Sequence, residues 1–195
     1  MRTKEGYVTC LGAAIGIFML GAWAARGGEP TALELIKAGN RFVGEQSKDK
    51  LLGIHSDKSL AGLTPTVWYV SFYDPDVTSK RADVKFGAGR EMSVSRSWRP
   101  FGGGGSLEKV MDLTKLKVDS DKALKTATAE PLLAKFTIKA TQFWLEKEGN
   151  LLVWKLRLWV SKLSKPGTAV KVGDIFISAE TGQVIRSDLH LNKAA

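Results

Sequence analysis

The side chains that could perform catalysis or hold a metal ion are few in this chain and lie far apart in sequence. The 195 residues include two histidines, His55 and His190, and one cysteine, Cys10. A zinc site needs about four clustered nitrogen and sulfur ligands, and a histidine-activated nucleophile needs a partner within hydrogen-bond reach. We therefore predict no catalytic residue, no metal site, no cofactor and no enzymatic activity. Both histidines are interpreted as surface residues.

Two pairs of carboxylates are better explained by local structure than by calcium binding. Asp74-Pro75-Asp76 and Asp119-Ser120-Asp121 each place two carboxylates close together. Calcium takes about six oxygen ligands, and no EF-type loop with its distal glutamate follows either pair. The first pattern is typical of a turn and the second of a helix N-cap.

Two groups of cations and aromatic side chains indicate binding instead of chemistry. One is the segment 96–101 (RSWRPF), and the other is one face of a predicted strand over 151–160. Arginine and tryptophan are favoured in binding hot spots because they offer large contact area. The predicted binding residues are Arg96, Trp98, Arg99, Phe101, Lys155, Arg157 and Trp159. The alternatives are that Trp98 and Phe101 fold onto the core and that the strand cations are merely solvated.

The N-terminal 25 residues have the pattern of a secretion signal. Arg2 and Lys4 precede an uncharged stretch over 6–25, and Ala22-Trp23-Ala24 places small residues where signal peptidase inspects the chain. We expect a signal peptide over 1–24, cleavage after Ala24 and a periplasmic or extracellular protein. The alternative is an uncleaved anchor, since about 20 apolar residues span a bilayer.

Composition limits the possible partners. The formal net charge is +9, and removal of residues 1–24 would lower it by one and remove the only cysteine. A basic chain attracts polyanions, but export separates the protein from the genome, so we expect no nucleic-acid partner. Contact with a membrane is expected only through an uncleaved signal segment.

Hydrophobic periodicity predicts a helix and several strands on each side of the glycine run at 102–105. Before the run, a helix is predicted from Pro30 to about Glu45, followed by strands over 66–73, 82–86 and 91–95. After it, a helix over 122–127 precedes strands over 136–145, 151–160, 169–179 and 183–187, with a hairpin loop at 146–150. In the strand over 151–160, the even-numbered side chains from Leu152 to Val160 are predicted to face the core.

The two halves have similar segments, which indicates an internal repeat. VWYVSF at 67–72 is similar to VWKLRL at 153–158, and DVKF at 83–86 is similar to DIFI at 174–177. We predict a degenerate helix-plus-sheet repeat over 25–99, a glycine-rich linker over 100–107 that acts as a flexible link, and a second domain over 108–195.

The C-terminal half resembles a PepSY domain. The resemblance rests on VDSDKA at 118–123, LVWKL at 152–156 and DIFISAETGQVI at 174–185, and it covers about residues 108–190. It implies an α+β fold in which a helix packs on an antiparallel β-sheet (PepSY or cystatin-like), here as two tandem repeats. It also implies an envelope location and a non-catalytic role such as peptidase regulation. In the Thr181-Gly182 turn, Gly182 is expected to adopt a positive φ and Thr181 to bond locally.

Two function classes follow from the sequence. The favoured class is an exported, non-catalytic binding or regulatory module of the cell envelope whose partner is an envelope protein or a peptidase. The alternative is a basic envelope protein that binds a polyanion, such as anionic lipid or an acidic polysaccharide.

Overall fold

The computed structural model describes residues 29–96 and 104–194. The predicted signal segment lies outside these ranges, as do three of the predicted binding residues, Trp98, Arg99 and Phe101. Within the described ranges, no helix combines the length and the apolar character needed to cross a bilayer.

An α-helix followed by four strands occurs twice along the chain. The first set is α1 (Ala32–Gly39), β1 (Leu51–Ser56), β2 (Val67–Tyr73), β3 (Arg81–Gly87) and β4 (Arg90–Ser95). The second set is α2 (Ser120–Thr128), β5 (Ile138–Glu148), β6 (Leu151–Ser161), β7 (Ala169–Ser178) and β8 (Val184–Leu189). All eight strands form one antiparallel sheet in the order β4-β3-β2-β1-β5-β6-β7-β8. The fold is therefore α+β, and most of its regular structure is sheet.

The predicted elements differ from the observed ones in three places. The first helix ends at Gly39 instead of near Glu45, because glycine is a poor helix former. Strand β1 was not predicted. The loop expected at 146–150 is a two-residue turn at Gly149 and Asn150, since the strands continue to Glu148 and resume at Leu151.

Both helices pack on one face of the sheet, where the hydrophobic core lies. The prediction for β6 is confirmed, because Leu152, Trp154, Leu156, Leu158 and Val160 are all buried on this face. One continuous cluster of buried side chains includes residues from both helices and from strands of both halves. Apolar burial therefore links the two halves instead of stabilising each separately.

Two further contacts join the halves. Strand β1 pairs with β5 at the centre of the sheet, with His55 opposite Trp144. The N-termini of the two helices also meet: the Ser120 hydroxyl accepts a hydrogen bond from the Ala32 N–H at 3.0 Å, and Asp119 accepts one from the Leu33 N–H at 3.0 Å. The cap of α2 thus satisfies free N–H groups at the start of α1 as well as its own.

The described part of the segment between the halves, which begins at Gly104, is attached to one end of the sheet. The Gly105 N–H donates to the Ser79 carbonyl at 2.8 Å, and a Cβ at Gly105 would lie only 1.9 Å from the Lys80 carbonyl oxygen. Glycine is therefore required at this position by close backbone approach. Further along, the Lys147 ammonium donates to the carbonyl of Glu108 at 2.7 Å.

The turn between β7 and β8 has the predicted geometry. Gly182 has a φ of 78°, and the Thr181 hydroxyl accepts a hydrogen bond from the Gln183 N–H at 3.3 Å. The turn is part of the scaffold.

Candidate functional site

The face of the sheet opposite α1 and α2 is covered by neither helix, and we refer to it as the open face. Side chains alternate along each strand, so the residues between the core positions point to this side. They are mainly charged, aromatic and half-buried. An uncovered sheet face of this width is the largest continuous surface that the strands offer to a partner.

One row of side chains crosses seven strands of the open face. Each member lies directly opposite the next in the strand register. In order from β3 to β8 the row consists of Lys85, Tyr69, His55, Trp144, Lys155, Phe176 and Arg186. At the usual strand spacing it extends about 29 Å. We call these seven residues the cross-strand row.

Cations and aromatic rings are stacked along this row. The Lys85 ammonium lies 5.3 Å from the centre of the Tyr69 ring, and the His55 ring stacks on Tyr69 at 4.8 Å with an angle of 9° between the rings. The Lys155 ammonium lies 5.4 Å from Trp144 and 5.9 Å from Phe176. These are cation–π distances, which hold the cations over the rings.

The arginines beside the row are paired with carboxylates. Arg157 makes two parallel hydrogen bonds to Asp174, at 2.8 and 3.0 Å, while its guanidinium also lies 5.0 Å from Trp144. These bonds raise the pKa of Arg157 above its ordinary value. At the edge of the sheet the Arg186 guanidinium lies 3.7 Å from the Phe176 ring and pairs with Asp188 at 3.0 Å.

The two lysines of the row have a different environment. Among the described residues, no carboxylate lies within ion-pair distance of Lys85 or Lys155. Aromatic rings hold both ammonium groups, and within the described ranges these groups remain available to an anionic group of a partner.

His55 lies at the centre of the row and is half-buried. It lies on the outward side of β1, in the middle of the sheet, while His190 is exposed. Burial lowers the pKa of His55 below its ordinary value of 6.5, and the charge of Arg81 lowers this pKa further. The imidazole is consequently held in its neutral form near neutral pH.

A cleft of about 580 Å³ opens beside His55, between the open face and the segment around Glu108. Gly53 of β1 lines this cleft. The charged and polar groups around the cleft are Ser71, Arg81, Glu108, Lys109, Glu146 and Lys147. Trp144 also lines the cleft, so the cleft and the cross-strand row form one surface.

The structure places the predicted binding residues at different points. Lys155 and Arg157 lie on the open face beside Trp144, as their strand alternation predicted. Trp159 lies further along the same strand, where the Lys58 ammonium is 4.6 Å from its ring. Arg96 lies apart from these three residues. Its Nε is 3.0 Å from a carboxylate oxygen of buried Asp74. This ion pair attaches Arg96 to the β2–β3 turn.

Six members of the row were not among the binding residues predicted from the sequence. They are Lys85, Tyr69, His55, Trp144, Phe176 and Arg186. A detectable signal exists for three of them, because Tyr69, Trp144 and Phe176 are aromatic residues at outward positions of alternating strands. Their alignment could not be detected, since it depends on the register between strands that are far apart in sequence.

Among the residues that the structure describes, no group of three or more histidine, cysteine, aspartate or glutamate side chains is arranged to hold a metal ion. The chain matches no family model, and comparison with curated proteins and with solved structures found no match. The open face therefore provides the basis for a functional inference.

Proposed function

We propose that this chain is an exported, non-catalytic binding or regulatory module of the cell envelope, and that it binds its partner on the open face of the sheet. The observation that supports this most directly is the cross-strand row. Rings that hold two unpaired lysines over a broad uncovered face are suited to recognition, because the cations are positioned before the partner arrives.

The composition of the surface favours a protein or peptide partner. Aromatic residues and arginine are enriched at protein interfaces, and Tyr69, Trp144, Phe176 and Arg157 are all within or beside the row. Arg157 and Arg186 pair with carboxylates, whereas Lys85 and Lys155 have none within ion-pair distance among the described residues. The surface therefore carries both positive and negative groups. A narrower form of the proposal is a PepSY-like regulator of an envelope peptidase, which predicts that the purified protein changes the rate of peptide hydrolysis by an envelope fraction.

Site-specific photo-crosslinking tests where the partner binds. A photoreactive residue at Lys85 or Lys155 on the open face should give a defined crosslinked product in an envelope extract. The matched controls are exposed lysines of the helix layer, Lys37 and Lys122, where the same residue should give none. A product from the helix layer alone would contradict the proposed surface.

Polyanion binding is the second candidate function. It is favoured by Lys85 and Lys155, which have no carboxylate within ion-pair distance in the part of the chain that the structure describes. The two functions differ in salt dependence, because binding to a polyanion releases counterions. For a protein partner we expect binding to survive about 0.3 M salt and Trp144→Ala to weaken it more than the double change Lys155→Ala and Arg157→Ala. Loss of binding at modest salt, with the double change dominant, would support the polyanion.

We further propose that the two halves arose by duplication. Trp68 and Trp154 are both buried on the second strand of their set. Three residues after each tryptophan, Ser71 lies opposite Asp83 and Arg157 lies opposite Asp174 on the third strand. Relatives in which the halves are more similar to each other at these positions would support the duplication, whereas relatives in which the correspondence is lost would oppose it.

A further inference from the structure

The loops at one end of the sheet combine exposed leucines with lysines. Four segments meet there: 57–66 between β1 and β2, 129–137 before β5, 162–168 between β6 and β7, and 190–194 after β8. The Leu163 N–H donates to the Ala194 carbonyl and so joins two of the segments, while the Ser59 N–H donates to Thr141 of β5 and the Ser161 N–H of β6 donates to Thr137. We call these four segments the lysine end.

Leucine side chains protrude from three of these segments. Leu60 is 90% exposed, Leu132 is 56% exposed and Leu163 is 57% exposed. The strands next to these loops are neighbours in the sheet, in the order β2-β1-β5-β6-β7, and these five strands extend over about 19 Å. Leu107 and Leu151 at the opposite end of the sheet are exposed to a similar degree, so exposure alone does not distinguish the lysine end.

The charge of these segments identifies the partner. They contain five lysines, Lys58, Lys135, Lys162, Lys165 and Lys193, against two carboxylates, Asp57 and Glu130, a net charge of +3. Exposed Lys139 and Lys171 follow at the starts of β5 and β7. The segments at the opposite end (40–50, 74–80, 104–118, 149–150 and 179–183) contain seven cations and seven carboxylates. Positive charge is therefore concentrated at the end that carries Leu60 and Leu163.

Apolar side chains that protrude among lysines match the surface of an anionic bilayer. Leucine side chains can enter the acyl boundary while lysines remain at the negatively charged headgroups. Trp159 lies near the same end with the Lys58 ammonium over its ring, and tryptophan is enriched at membrane interfaces. A soluble polyanion would use the lysines but would give no role to the exposed leucines.

We propose that the lysine end docks on the surface of an anionic lipid membrane, with Leu60, Leu132 and Leu163 inserted and the lysines at the headgroups. This orientation leaves the open face accessible from the side. The proposal does not depend on which partner occupies the open face, and it differs from anchoring by the N-terminal segment because it places particular loop side chains in lipid.

Fluorescent probes on single cysteines test this orientation in the full chain. With Cys10→Ser removing the native cysteine, a polarity-sensitive probe is attached at Leu60→Cys or at Leu163→Cys. The controls are Leu107→Cys and Leu151→Cys at the opposite end, where Leu107 is 60% exposed and Leu151 is 56% exposed. Because the readout is the depth of one side chain, it is unaffected by any other attachment of the chain to the vesicle.

The expected result is a blue shift, and quenching by nitroxide-labelled lipid, at positions 60 and 163 but not at 107 or 151. This should occur on vesicles with about 30% phosphatidylglycerol and not on pure phosphatidylcholine. Lys162→Gln with Lys165→Gln should lower the bound fraction of the probe several-fold, whereas Lys48→Gln with Lys115→Gln should leave it unchanged. Equal signals at the two ends would overturn the proposal, as would binding of a soluble acidic polysaccharide by the same lysines without insertion of either leucine.

Discussion

Trp144 shows how a single residue organises the open face. Its ring lies opposite His55 in the strand register, and the cations of Lys155 and Arg157 lie within 5.4 Å of the ring centre. A cation–π contact at a partly exposed site contributes about 0.5–1 kcal/mol. Two such contacts on one ring restrict the cations to a small region, which lowers the entropy lost when a partner binds.

His55 should make stability depend on pH. Its pKa is lowered in the folded protein, so as pH falls through 6.5 the unfolded chain takes up a proton before the folded one does. The free energy of unfolding should therefore decrease as pH falls below 6.5 and level off once folded His55 is protonated. Urea unfolding between about pH 8 and 5 measures this, and His55→Phe should flatten that part of the profile. An unchanged profile in His55→Phe would contradict the assignment to His55.

Trp154 should be among the most costly residues to truncate. Its side chain is fully buried, and its indole N–H donates to the Val118 carbonyl at 2.8 Å. Trp154→Ala should lower the free energy of unfolding by about 3–5 kcal/mol. Trp159→Ala, on the half-exposed side of the same strand, is the control and should cost much less. A loss below about 1 kcal/mol for Trp154→Ala would contradict the packing described for β6.

Individual elements were predictable where alternation or capping was strong. Strands β2 to β8 were predicted close to their observed bounds, because apolar residues alternate clearly in segments such as 67–73 and 151–161. Strand β1 was not predicted, because Leu51, Leu52 and Gly53 do not alternate between apolar and polar side chains. The register of β1 with β2 also shifts between Leu51 and Gly53. The cap of α2 was predicted from Asp119 and Ser120. The hydrogen bonds from these two residues to α1 could not be predicted, because each bond joins residues more than 80 positions apart.

The contact between the helix N-termini should contribute measurably to stability. In Ser120→Ala the buried N–H of Ala32 loses its acceptor, and leaving such a group unsatisfied costs about 1–3 kcal/mol. Ser164→Ala, in an exposed loop, serves as the control and should be neutral. Chemical unfolding of the two variants measures the difference. Equal stability of Ser120→Ala and the unmodified chain would show that this bond does not contribute to joining the helices.

At the scale of the whole molecule, the helix layer, the open face and the lysine end are surfaces of different character among the described residues. Strand β1 pairs with β5, and this pairing joins the first four strands and the last four into one continuous face. The sequence predicted that Lys155 and Arg157 lie on an outward face. It could not predict the cross-strand row, because residues such as Tyr69 and Phe176 come together only through the register of all the intervening strands.

The affinity of the crosslinked partner for variants of the open face tests the central claim most directly. Trp144 is half-buried on that face, so Trp144→Ala leaves the core on the opposite side intact. It should lower the affinity at least about tenfold, as loss of a central aromatic residue does at interfaces, while Lys122→Ala in the helix layer should change it less than about twofold. Unchanged binding by Trp144→Ala, with weakened binding by Lys122→Ala, would show that the partner binds elsewhere.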